Sequence, residues 1–261
     1  MTPSILRLLV LAVTFMSAPA SSEPLNVAVA ANFKATLEVL KVEFEQQTGH
    51  RLTIISAGTG HLSNQILHGA PFDIFLAANH QHPRAVYAQL KNTRQLGPSA
   101  LQTYALGRLA LLSAHALPNQ TLAHNGRRLQ QLLGGQLLAR LALANAKLAP
   151  YGLAAQQTLQ HLQLLDKWQG RLIRGQNVAQ VYQFIHSRNV DAGFVAYSMV
   201  KQLPGARFIE VPEDYHSPIE QLALRLNHKK VSMDFMHFLA SEHAHSIIVQ
   251  QGYTLPKRAA H

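Results

Sequence analysis

The chain has 261 residues, with 23 Lys and Arg against 13 Asp and Glu, a formal charge of +10 that leaves 15 His uncounted. Hydrophobic residues make up 48% and charged ones 14%, which gives core enough for one large or two small domains and excludes a disordered chain. Cysteine is absent, so disulfides, thiol catalysis, Cys-ligated zinc, iron–sulfur clusters and a lipidated N-terminal cysteine are excluded.

The chain opens with a positive charge at Arg7, a nine-residue apolar stretch over Leu8–Met16 and the small-x-small site Ala18-Pro19-Ala20. This pattern predicts a cleavable secretory signal peptide over residues 1–20. The stretch is too short to span a bilayer, which takes about 20 apolar residues. An exported, soluble, unanchored protein is therefore expected, carrying 10 − 1 = +9 once Arg7 is removed.

From residue 24 onward short apolar runs alternate with helical patterns, which predicts α/β layering. Strands are expected at 25–31, 51–56 and 72–77. A helix carrying Phe33, Leu37, Leu40 and Phe44 on one face separates the first two and stops at Gly49. Ala57-Gly58-Thr59-Gly60 leads into a helix with Leu62 and Ile66, and Pro83 opens another. Strands follow at 108–113, 140–144, 172–174, 192–196, 207–211 and 222–226. Helices are expected after Pro150-Tyr151-Gly152, around Val178, Val181 and Ile185, around Phe235 and Leu239, and around Ile247 and Ile248. The segments 98–104 and 212–218 read as crossings between two lobes.

Familiar catalytic signatures are missing: the nucleophile-elbow, P-loop, zincin and dinucleotide patterns do not occur. His80-x-His82 and His243-x-His245 are spaced two apart, so neither pair shares a helix face, and surface or structural roles are expected. The scattered cations form no stripe for nucleic acid. They suit a mild field that steers small anions.

The positional signal lies in the turns. Ala31-Asn32, Gly58-Thr59-Gly60, Pro150-Tyr151-Gly152 and Gln176-Asn177-Val178 each put small or neutral polar residues where a helix begins. Helix N-termini offer unpaired N–H groups and a partial positive charge to an anion. In open α/β sheets such turns collect at the carboxyl ends of the strands. Asn32, Thr59 and Asn177 taken singly read equally well as ordinary helix caps; it is their joint occurrence that suggests a site.

The segments VAVAANFKATL (27–37), SAGTGHLSNQILHGAPFDIFLAA (56–78), LAPYG (148–152), GQNVAQVY (175–182), DAGFVAYS (191–198) and VPEDYH (211–216) together resemble the periplasmic molybdate-binding proteins, the solute receptors of molybdate ABC importers. The resemblance runs from Leu25 to Pro256. It implies a type II periplasmic-binding-protein fold in the α/β class. Each lobe would be a mixed sheet flanked by helices, and two crossover strands would join them. Lobe I would comprise 24–103 plus 212–261, and lobe II 104–211.

The same resemblance implies a receptor rather than an enzyme, acting as a monomer without cofactor or nucleic acid. It would hold molybdate or tungstate, with molybdenum present only inside the oxyanion and no direct protein–metal ligand, and would deliver the ion to an ABC permease at the inner membrane. Its ligand positions fall on Ala31, Asn32, Thr59, Ala78, Tyr151 and Val178. Ala78 and Val178 would donate through the main chain, and Asn32 through its amide where many relatives have Ser. Tyr151 falls where small residues that bind through the backbone are common, so contact through either its phenol or its main chain is open. Ala196 replaces a frequent ligand Tyr, Tyr197 is expected on the opposite face of its strand, and His61 is expected to face solvent. Rival readings are a sulfate or other oxyanion receptor, an exported metal-dependent hydrolase, and the effector domain of a cytoplasmic regulator.

Overall fold

The computed structural model describes residues 24–117, 125–204 and 207–256. The expected signal peptide lies outside these residues. Five strands, β1 (Leu25–Ala30), β2 (Leu52–Ala57), β3 (Ile74–Leu76), β4 (Leu101–Gly107) and β10 (Ile219–Arg225), form one sheet in the order β2-β1-β3-β10-β4. β5 (Leu109–Ser113), β6 (Leu141–Ala144), β7 (Leu172–Gly175), β8 (Ala192–Ala196) and β9 (Phe208–Glu210) form the other in the order β7-β6-β8-β5-β9. The two share one plan. Three strands run parallel, and the strand next to them, β10 in one sheet and β5 in the other, runs antiparallel to both neighbours.

Both faces of each sheet are covered, as near-continuous apolar strands require. In the first sheet Val27 and Val29 pack under α1 (Lys34–Thr48), α8 (Lys230–Leu239) and α9 (Glu242–Gln250), while Ala28 and Phe75 face α2 (Thr59–Leu67) and α3 (Gln81–Leu90). The split follows from strand alternation. α1 ends where Gly49 takes φ +70°, letting its N–H reach the Glu45 carbonyl at 2.9 Å. The second sheet is covered by α4 (Asn125–Gly134), α5 (Pro150–His161), α6 (Leu165–Trp168) and α7 (Val178–His186).

The main departure from expectation is β4. Residues 98–104 read as a crossing, yet Leu101–Gly107 pairs along β10 and buries Tyr104 and Ala105 in the first lobe's core. The expected boundary at 103/104 therefore falls inside a strand. The chain leaves the first sheet at Gly107 and joins the second at Leu109. It returns through Val211, a 3-10 turn at Glu213–Tyr215 and β10. β4 has little apolar alternation of its own and is fixed by a partner more than a hundred residues away. α4 was also not expected, because only Gly126, Leu129 and Leu133 of that polar segment are buried.

Candidate binding site

The parallel strands of both sheets end at a common crevice, where Ala31, Asn32, Thr59, Ala78, Tyr151 and Val178 line one small pocket. The six expected positions thus lie together. Ala30, Gly58, Ala149, Pro150 and Asn177 complete the lining, and no charged side chain contributes.

The pocket's chemistry is set by which polar hydrogens are already committed. Ala31 N–H donates to the Ala57 carbonyl at 3.0 Å, prolonging the β1–β2 ladder. Ala78 N–H donates to Thr59 Oγ1 at 3.1 Å. Neither is available as a donor, so Ala31 contributes shape and Ala78 orients the threonine. A hydroxyl that accepts from Ala78 keeps its own hydrogen for another partner. Asn177 caps α7, its Oδ1 accepting from Ala179 N–H at 3.0 Å and Gln180 N–H at 3.1 Å. This cap leaves the first N–H of the helix, on Val178, uncommitted.

Tyr151 follows Pro150, the first residue of α5, so its N–H also precedes the intrahelical ladder. Among the described residues no protein acceptor takes the N–H groups of Asn32, Thr59, Tyr151 or Val178. Four backbone donors and the Thr59 hydroxyl remain. Two of the N–H groups come from α5 and α7 of the second lobe. Thr59 starts α2 in the first, and Asn32 belongs to the turn before α1. Three helix starts bring partial positive charge without any cation.

The Asn32 and Tyr151 side chains also have protein partners. Asn32 Nδ2 donates to Gln221 Oε1 at 3.0 Å and to Tyr253 Oη at 3.2 Å, away from a donor role toward the pocket. The Tyr151 phenol accepts from Gln221 Nε2 at 3.3 Å and lies so close to Gly107 that a Cβ there would be 2.2 Å from Oη. Both side chains belong to a buried polar network with Tyr104, whose hydroxyl donates to Gln221 Oε1 at 3.1 Å. Burial pushes the Tyr104 and Tyr151 phenols well above their ordinary range, with neighbouring phenols adding to the rise. Burial likewise pushes Tyr253 up to about 12. All three stay neutral and act as hydrogen-bonding groups at physiological pH.

The lobes meet closely around the pocket. Gly60 N–H donates to the Leu148 carbonyl of the other lobe at 3.0 Å. A Cβ on Gly60 would lie 3.3 Å from that oxygen, and one on Gly58 would lie 3.2 Å from the Gln176 carbonyl. Glycine is what permits this approach.

His61 is exposed and pairs with Gln65. Tyr197 lies outside the pocket, with the Arg108 guanidinium 4.2 Å from its ring centroid. His80 lies 3.5 Å from Glu220, and His82 bonds Asn79. His243 pairs with Glu43 at 3.0 Å. No group of three or more potential metal ligands occurs among the described residues. Gln221, Tyr104, Tyr253 and Ser198 were not anticipated. The only sequence signal was a neutral glutamine directly before the apolar run Leu222–Leu224.

A two-lobed α/β clamshell with neutral donors converging on a closed pocket defines a solute-binding protein. Residues 25–254 match the family of bacterial extracellular solute-binding proteins, and the chain belongs to it. It is 34% identical over 262 residues to the molybdate-binding protein ModA of Azotobacter vinelandii, covering 98% of this chain and 100% of that one. Its identity to the molybdate-binding protein ModA of Rhodobacter capsulatus is 32%, covering 91% of each chain. The solved periplasmic molybdate-binding protein of Azotobacter vinelandii superposes with a TM-score of 0.78 at 35% identity, covering 89% of this chain and 100% of that one. These relatives are binding proteins by name, and this chain is a binding protein rather than an enzyme.

Proposed function

We propose that this protein is an exported receptor that encloses molybdate, and by the same geometry tungstate, between its two lobes and hands it to an ABC permease at the inner membrane. The observation that carries the reading is the set of uncommitted donors: the N–H groups of Asn32, Thr59, Tyr151 and Val178 and the Thr59 hydroxyl, gathered from both lobes around a pocket with no charged side chain. A dianion removed from water requires its lone pairs to be satisfied. Bonds to a charged acceptor contribute about 1.5–3 kcal/mol each, so five of them offset much of an association cost of about 4–15 kcal/mol. In this reading Ala31 and Ala78 shape and orient, while Asn32 and Tyr151 bind through their main chains.

A donor-only pocket disfavours hydrogen phosphate, whose own proton would meet another donor. Sulfate is fully ionised but smaller, so its oxygens fall short of donors set for a larger ion. Because each lobe supplies part of the shell, binding shifts the population toward closure. The permease reads the closed lobe surfaces. Export by removal of the N-terminal segment and action as a monomer complete the reading, which the kinship with periplasmic molybdate-binding proteins supports. Calorimetry on the purified mature protein tests it, with molybdate, tungstate and sulfate titrated side by side. Submicromolar molybdate and tungstate with much weaker sulfate is the expected result; sulfate binding as tightly as molybdate overturns it.

A further inference from the structure

A chain of hydrogen bonds passes behind the pocket, and both of its ends lie in the second lobe. Ser198, just after β8, donates through Oγ to Tyr253 Oη at 3.0 Å. Tyr253 Oη donates to the Asn32 carbonyl at 2.8 Å and accepts from Asn32 Nδ2 at 3.2 Å. Asn32 Nδ2 also donates to Gln221 Oε1 at 3.0 Å, and Gln221 Nε2 donates to Tyr151 Oη of α5 at 3.3 Å. Tyr253, Asn32 and Gln221 belong to the first lobe, while Ser198 and Tyr151 belong to the second. Asn32 sits in the middle, in the turn whose N–H faces the pocket.

We propose that Ser198 and Tyr253 form a closure latch, acting as positioning residues that tie the second lobe to the Asn32 turn only while the lobes are shut. The inference deepens the receptor reading above and rests on it for the identity of the anion.

The Tyr253 hydroxyl donates to the Asn32 carbonyl and accepts from Asn32 and Ser198, with the Thr36 and Gln221 side chains also against it. Its ring cannot swing aside freely. It packs edge-on against Phe33 at 5.1 Å, and Phe33 packs edge-on against Tyr104 at 4.8 Å. The same turn is gripped beside the hydroxyl: Lys201 Nζ donates to the Gln250 carbonyl, and a Cβ on Gly252 would lie 3.1 Å from the Tyr197 ring. Separating the lobes breaks the Ser198–Tyr253 and Gln221–Tyr151 bonds together. Asn32 keeps its own bonds to Tyr253 and Gln221, but both of those partners lose their anchor in the second lobe, and the Tyr151 and Val178 N–H groups move away from the anion with it. Release and opening become a single event, which is what a receptor that must surrender its cargo on demand requires.

The test compares the mature protein with Ser198→Ala, Ser198→Thr and Tyr253→Phe. Stopped-flow binding of molybdate should show dissociation about 3- to 10-fold faster in Ser198→Ala, with association nearly unchanged, as expected for losing one neutral hydrogen bond of the closed form, and at least as large an increase in Tyr253→Phe, which also removes both bonds to Asn32. Ser198→Thr keeps the hydroxyl and should restore the wild-type rate. Tyr253→Phe should cost less in the Ser198→Ala background than alone, because the two groups share a bond. Ser198→Ala should leave the ligand-free melting temperature unchanged while shrinking the shift produced by molybdate, which a merely structural role would not do.

A second arm needs no knowledge of the anion. The chain lacks cysteine, so labels placed by Gln81→Cys and Lys147→Cys report the distance across the cleft. Ser198→Ala should lower the closed population. Unchanged dissociation in both latch variants, or equal closed populations with and without Ser198, overturns the latch. A wild-type protein that ignores molybdate overturns the receptor reading alone, since the distance arm still decides the latch.

Discussion

Thr59→Ala isolates one donor whose orientation the structure fixes. Ala78 N–H donates to Oγ1 at 3.1 Å, and the side chain is almost fully buried at 1% exposure. The hydroxyl therefore holds one lone pair toward Ala78 and directs its hydrogen at the pocket. Removing it deletes a bond to a charged acceptor, about 1.5–3 kcal/mol, which at about 1.4 kcal/mol per decade predicts a dissociation constant about 10- to 150-fold larger. The same change strands the buried Ala78 N–H at a cost of about 1–3 kcal/mol to folding. That second loss is present with or without ligand and does not enter the affinity. Calorimetry with molybdate reads the first effect and thermal unfolding of the ligand-free protein reads the second. Thr59→Ser keeps the hydroxyl and should retain most of the affinity. A Thr59→Ala protein that binds within threefold of wild type would refute the assignment of this hydroxyl to the ion.

Other outcomes follow from the same geometry. Gly107→Ala puts a Cβ where only 2.2 Å separates it from Tyr151 Oη, so the phenol must leave Gln221; molybdate affinity should fall at least about tenfold, given the bond lost and the strain of overpacking. Adding Tyr151→Phe should recover part of that loss, and no recovery in calorimetry would show that the clash is not with the phenol oxygen. Asn32→Ala should lower ligand-free stability by about 1–3 kcal/mol in denaturant titrations, because it leaves Gln221 Oε1 and Tyr253 Oη short of a buried donor; an unchanged midpoint would show the network to be idle. Alkaline stability follows from Tyr253, raised by burial to about 12. The unfolded phenol ionises near 10, so its contribution is complete below that pH and is lost as pH rises through about 12. Melting temperatures followed from pH 8 upward should stay level and then fall across that window, and Tyr253→Phe should flatten the fall.

The elements and their layering were legible in the sequence because they depend on local chemistry. The short apolar run of Leu25–Ala30, the 4-3-4 spacing of Phe33, Leu37, Leu40 and Phe44, and the stop at Gly49 follow from side-chain patterning and one left-handed residue. The pocket positions were legible for a related reason. A strand followed by a small or polar residue and a helix start is a local pattern, and uncommitted N–H groups come with any helix start. Tyr151 and Val178 could be named on that basis together with a family resemblance.

What could not be read was which polar hydrogens the fold itself would take. Whether the Asn32 amide donates to an anion or to Gln221, and whether the Tyr151 phenol meets the ion or the backbone at Gly107, depends on groups brought together across roughly 70 to 220 positions of chain. β4 is a strand because β10 lies beside it, a fact no window around Leu101–Gly107 contains. Periodicity and helix ends determined the two lobes and the donors at their rims, since these are written within a few residues of each other. Only the packing of one lobe against the other decided which donors stay unspent and which side chains tie the clamshell shut, because hydrogen bonds between distant segments depend on where the finished fold sets them.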